Sequence, residues 1–124
     1  MNFFMLYIDE GKAFDHERVR QLFSSIGEIT EIEESPDDGA CLKGRYNHGS
    51  DSTIVELKGD LESIALSGAG DAGIDLAFRI QEGYPESLHI IDSDYSFDLL
   101  VKDFDNVNGL RSAVLGAMNE TEEG

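Results

Sequence analysis

The chain has 124 residues, 26 of them acidic and 9 basic, for a formal net charge of -17. That length holds one domain around a single core. The charge repels nucleic-acid phosphates and anionic membrane surfaces, which argues against both as direct partners.

Residues 3–8 (FFMLYI) form an unbroken apolar run. Such a run predicts a strand in the middle of a sheet, buried on both faces. It is too short to span a bilayer and lacks the basic stretch of a secretory signal. Cys41 is the single cysteine, so no internal disulfide can form. Together these features predict a cytoplasmic protein.

Asp15 is placed to cap a helix running to about Ile26, with Glu17 in its first turn. Val19, Leu22, Phe23 and Ile26 form its apolar stripe. Residues 28–34 (EITEIEE) are β-branched but alternate poorly, which predicts an exposed edge strand. A turn at 35–39 leads to a strand over 40–46, with Lys43 and Arg45 on one face and Leu42 and Tyr46 on the other. A polar loop, 47–52, precedes a strand at 53–58. Gly59-Asp60 then makes a two-residue hairpin to a partner strand at 61–67.

Asp71 is placed to cap a helix to about Glu82, stopped by Gly83-Tyr84-Pro85. Strands at 88–91 and 96–102 follow, joined by a tight loop, and a last helix runs from about Asn106 to Met118. Residues 119–124 form an acidic, flexible tail, leaving 1–118 as the single domain. The order β-α-β-β-β-β-α-β-β-α predicts an α+β fold, a mostly antiparallel sheet with helices on one face. A ferredoxin-like split βαβ core is one specific version.

Gly68-Ala69-Gly70-Asp71-Ala72-Gly73 matches G-x-G-x-x-G between a candidate strand and helix, with Asp92 ending the next strand. This is the layout that lets a backbone approach a pyrophosphate at a helix N-terminus. Against it stand the missing second mononucleotide half, the carboxylate of Asp71 inside the loop and the negative surroundings. A glycine-rich turn capped by Asp71 is the favoured interpretation. Residues 92–98 alternate acidic oxygens, but Phe97 and Asp103 stand where a calcium loop needs Gly and Glu, so the segment is read as a hairpin loop. His16, His48 and His89 lie in different elements without zinc spacing, and Cys41 sits in a strand. The sequence thus points to no catalytic residue, no cofactor and no metal.

What remains is the acidity, densest at Glu31, Glu33, Glu34, Asp37 and Asp38. Acidic surfaces speed encounter with basic partners. A small, acidic, single-domain α+β chain of this kind resembles the immunity proteins of bacterial polymorphic toxins, those accompanying contact-dependent inhibition and type VI secretion. The resemblance is one of size and charge over the whole chain, and no motif carries family residues across. It implies a binding protein, not an enzyme, that neutralises a cognate toxin by covering a basic active site or groove, such as that of a nuclease or deaminase. The candidate contacts are Glu31, Glu33, Glu34, Asp37, Asp38 and Tyr46, with Asp92, Asp94, Tyr95 and Asp98. The alternatives are a small nucleotide-binding enzyme or sensor using Gly68 to Gly73, and a regulatory module that adds a partner strand along residues 28–34.

Overall fold

Every second residue being apolar, or every third and fourth, decides which segments become strands and which helices. In a computed structural model that describes residues 3–9, 12–34, 39–68 and 70–123, with 118–123 as backbone only, seven strands and three helices result. They are β1 (Phe4–Tyr7), α1 (His16–Ser25), β2 (Ile29–Glu34), β3 (Ala40–His48), β4 (Asp51–Lys58), β5 (Ile64–Leu66), α2 (Asp71–Gly83), β6 (His89–Asp92), β7 (Asp98–Leu100) and α3 (Val107–Glu123), with a 3-10 turn over Val101–Asp103. The α+β order is the one the sequence predicts.

The strands form one sheet in the order β2-β3-β4-β5-β1-β6-β7, and each neighbouring pair is antiparallel. Helix α2 links β5 to β6, and β1 lies between those two strands, which makes a split βαβ unit. The crossover through α1 lands instead on β2, the far edge. Phe4, Leu6, Leu42, Val55, Leu57, Ile64, Leu66 and Ile90 point from the strands to one side. There they meet Val19 and Phe23 of α1, Ile74, Leu76, Ala77 and Ile80 of α2, and Leu110 and Val114 of α3. Each fully buried aliphatic or aromatic side chain contributes about 1.5–3 kcal/mol relative to an exposed one.

The structure revises several local predictions. The loop at 47–52 contracts to Gly49-Ser50, with His48 opposite Asp51. Gly49 has φ +61°, the left-handed conformation such a tight hairpin needs, so both strands lengthen into the polar stretch. The next hairpin is longer than predicted. Lys58 N–H donates to Ser63 O at 3.0 Å, Leu61 takes φ +64°, and β5 keeps only three residues. Asp15 does cap α1, accepting the Arg18 N–H at 3.0 Å. Asp71 does not cap α2. Gly70 occupies that position without a side-chain bond, and Asp71 sits in the first turn, where it accepts from Arg111 Nε at 3.1 Å. Helix α3 runs past Met118 into the stretch assigned to a tail.

The largest departure concerns β1. It is central, as predicted, but buried on one face only. Phe4 and Leu6 are buried, whereas Met5 and Tyr7, on the opposite face, stay partly exposed. All three helices contribute to the one core cluster on the Phe4 and Leu6 side.

Helix α2 packs closely over β1 because residue 73 lacks a side chain. A Cβ there would stand 2.6 Å from the Gly68 carbonyl oxygen and 3.0 Å from the Phe4 ring. Gly116, in α3, has nothing within 4 Å of that position. Urea denaturation should therefore separate two glycine substitutions. Gly73→Ala should lower stability by about 1–3 kcal/mol through overpacking. Gly116→Ala should leave it unchanged or raise it by up to about 1 kcal/mol through helix propensity.

Candidate functional site

Antiparallel register lines up one residue from every strand on the uncovered face. The row reads Glu33, Lys43, Glu56, Ala65, Met5, Ile91, Asp98. Its composition changes halfway across. On β2 to β4 it alternates in charge, an arrangement that favours cross-strand pairing. From β5 onward it turns small and apolar before ending on a carboxylate. The charged half is closed further by Arg45, whose Nε lies 2.9 Å from Glu31.

The apolar half carries a shallow depression of about 420 Å³. Met5, Tyr7 and Ile91 line it from β1 and β6, with Tyr95 and Asp98 on one side and Asp60, Glu62 and Ser63 of the β4–β5 hairpin on the other. Tyr95 is 76% exposed, a large value for an aromatic ring. The chain presents it through a backbone at φ +56°. Asp92 holds that loop in place. Its Oδ1 accepts the Ser96 N–H at 2.6 Å and its carbonyl accepts the Tyr95 N–H at 3.1 Å.

Beside the depression, His89 lies between two carboxylates. Its Nδ1 is 2.8 Å from Asp98 Oδ1 and its Nε2 is 3.1 Å from Asp9 Oδ1. Only the imidazolium has a proton to donate on each side, so the geometry is that of the charged ring. Burial works against that charge, but the bonds to Asp98 and Asp9 outweigh it and hold the His89 pKa above its ordinary value. The ring stacks on Tyr7 at 4.5 Å between centroids. The Tyr7 hydroxyl donates to the other oxygen of Asp98. Burial, that bond and the nearby carboxylates push Tyr7 up to about 12. Asp98 is thereby fixed by two partners at the rim.

The sequence-derived candidates separate into those the fold brings together and those it does not. Tyr95 and Asp98 meet at the depression, and Asp94 is exposed in the same turn. Glu31, Glu33 and Glu34 lie on β2, five strand spacings from β6, roughly 24 Å away. There Glu31 faces Arg45, Glu33 is in register with Lys43, and Glu34 lies 3.8 Å from Arg20, so much of this acidity is met within the chain. Asp37 and Asp38 lie outside the described residues.

Two candidates are corrected. Tyr46 is 1% exposed and cannot anchor an interface. It points to the helices, where its hydroxyl donates to Asp75 and accepts from Arg79 Nη1 at 3.3 Å, and Arg79 in turn bonds Glu28 at 2.8 Å. Asp92 is likewise 1% exposed. It shapes the loop that displays Tyr95 and does not itself face outward. Met5, Tyr7, Ile91, His89, Asp60 and Glu62 were not singled out as contacts. The signal for the first two was present, since an apolar run on a strand with one uncovered face must leave apolar groups at the surface.

The remaining motifs resolve into local structure. Gly73 is explained by packing against Phe4, and Gly68 N–H donates to Thr53 Oγ1 at 3.2 Å. A Cβ on Gly70 would lie 3.7 Å from a carboxylate oxygen of Asp51, which sets a negative group beside the loop. Ala69 lies outside the described residues. Burial pushes the Cys41 thiol up, away from a reactive thiolate. Among the described residues no group of three or more His, Cys, Asp or Glu side chains is arranged to hold a metal ion, and no helix is long and apolar enough to cross a membrane. Edge strand β2 carries a register shift between Thr30 and Glu33, with Glu31 at φ +54°, a device that blunts an edge against strand addition.

Because the His89 pKa is raised in the folded chain, its contribution to stability is complete below the unfolded value of about 6.5 and is lost as pH rises through the folded value. Asp9→Asn removes one carboxylate while leaving Asp98 in place. An imidazole NMR titration should show the His89 midpoint falling in this variant, and the loss of stability as pH rises above the unfolded value of about 6.5 should shrink with it. An unmoved midpoint would show that Asp9 does not hold the ring.

Comparison of the chain with protein-family models, with curated proteins and with solved structures finds no match in any of the three.

Proposed function

We propose that this chain is a binding protein that captures a basic protein partner on the uncovered face of its sheet, and that the partner is a toxin domain neutralised by being covered. The observation that carries this reading is the face itself. Among the described residues, a sheet whose central strand is apolar on both sides is covered by helices on one side only, and the other face ends in an outward aromatic ring and a rim of carboxylates. A contiguous exposed apolar patch with a polar rim marks an interaction surface. Aromatic residues anchor the core of such surfaces, and a charged rim governs how fast the partner arrives.

The net charge of -17 supports the sign of the partner. With 26 acidic residues against 9 basic ones, the folded state carries a standing repulsion. A basic toxin domain that binds phosphates would relieve it, and the acidic face would occupy the groove meant for nucleic acid. The nucleotide reading of Gly68 to Gly73 has less support, because Gly73 already serves packing and Asp51 stands beside the loop.

Capture of the tagged chain's partners from its own cells, at low salt and again at about 0.5 M salt, tests the proposal. One stoichiometric basic protein should be recovered. Its association rate with the purified chain should fall at least tenfold between the two conditions, as steered encounters do. Recovery of an acidic or neutral partner with a salt-independent rate would contradict it.

A further inference from the structure

The proposed partner must present something that fits the depression. Its apolar floor, Met5, Tyr7 and Ile91, suits a flat or aliphatic group, while Asp98 on one side and Asp60 and Glu62 on the other set carboxylates at opposite rims. No basic side chain is among the eight described residues that line it, and the charged His89 ring bonds Asp98 from outside it, which leaves Asp60 and Glu62 as the rim's other carboxylates. Its volume of about 420 Å³ lies within the range of about 300–1,000 Å³ typical of small-ligand clefts. Resting on the reading above, we propose that this depression is the seat of an arginine side chain of the partner, with the guanidinium against the Tyr95 ring and between the carboxylates of the two rims.

The chemistry selects arginine over its competitors. A guanidinium is planar, stacks on an aromatic face and donates in a fork that matches a carboxylate. Its aliphatic stem lies along Met5 and Ile91 as long charged side chains do over apolar surface. A lysine ammonium is compact and strongly hydrated, so it gives up more on leaving water for the same floor. A second copy of this chain would bring another -17 charges against the first. Anionic lipids and nucleic acids meet the same repulsion.

The existing bonds preorganise the seat. Asp98 is held by Tyr7 and His89, so its carboxylate does not need to be ordered when a cation arrives. Asp60 is held similarly, its Oδ1 accepting the Glu62 N–H at 2.9 Å. Tyr95 is set outward by the turn that Asp92 closes.

The test uses the whole folded chain and three blocked tripeptides, glycyl-arginyl-glycine and its lysine and citrulline counterparts, followed by NMR. The arginine peptide should move the signals of Met5, Tyr7, Ile91 and Tyr95, bind more tightly than the lysine peptide, and leave the citrulline peptide silent. Tyr95→Ala removes an exposed ring and should weaken arginine binding about 2- to 5-fold, the range of an exposed cation–π contact. Glu62→Gln should weaken it as well. Shifts spread over Glu31, Glu33 and other acidic sites, with no difference between arginine and lysine and none in Tyr95→Ala, would overturn the inference and leave only non-specific attraction to a negative chain.

The partner itself separates the two proposals. If it is captured equally well by Tyr95→Ala and Glu62→Gln, the arginine seat fails while the binding function stands. If no basic partner is captured and the arginine peptide still seats at Tyr95, the neutralising function fails while the site stands.

Discussion

The asymmetry of the sheet governs everything else in this molecule. Seven antiparallel strands present two faces, and the one core cluster draws all three helices to the same side. On that side Phe4, Leu6, Leu57, Ile64 and Ile90 are sealed by α1, α2 and α3. On the other, the pattern of side chains must satisfy water without a cover. The half from β2 to β4 does so with alternating charges, Glu33, Lys43 and Glu56 in one row. The half from β5 to β7 does so less completely, because Met5 stays partly exposed there beside the buried Ile91, and the Tyr95 ring stands out into water. That half carries apolar surface at a standing cost, about 25 cal/mol for each Å² left in water. A covering partner recovers it.

The surroundings of that surface are built to stay in place. Asp98, Tyr7, His89 and Asp9 form a chain of bonds along the β1, β6 and β7 strands, and the ring of His89 stacks on that of Tyr7. Such exposed charge pairs add little stability individually. Their effect is to fix orientation. A rim carboxylate already held by two neighbours loses little conformational freedom on binding, which is where much of the cost of association falls. Beneath this face the packing is close, since the absence of a side chain at Gly73 lets α2 lie against Phe4 of the central strand.

Much of the fold was legible because local patterns agreed with the final packing. The alternation of Leu42 and Tyr46 against Lys43 and Arg45 assigned both faces of β3, and Asp15 marked the start of α1 correctly. The errors arose where spacing alone is ambiguous. Residues 3–8 look the same whether a second layer covers them or a partner does, so the run predicted burial on both faces. Gly49 and Leu61 adopt positive φ and thereby shorten one hairpin loop and lengthen the next, a choice that composition does not reveal. The site was half legible. Tyr95 and Asp98, both in the acidic loop singled out from the sequence, come together at the depression. Strand parity already placed Tyr46 on the face of Leu42, which α2 covers, whereas Asp92 looks available in sequence and only its bond to Ser96 N–H draws it inward. The dense acidity of Glu31, Glu33 and Glu34 has Arg45, Lys43 and Arg20 lying across from it, a pairing hidden in sequence because those bases come from other elements.

The claim on which the account turns is that the uncovered face, and not the helical side, receives the partner. Hydroxyl-radical footprinting of the chain alone and bound to its captured partner measures this directly, because methionine and tyrosine side chains report their own exposure. The account predicts strong protection of Met5, Tyr7 and Tyr95 in the complex, with Leu115 and Phe78 on the helices unchanged. Protection of Leu115 and Phe78 with Tyr95 still fully reactive would contradict it.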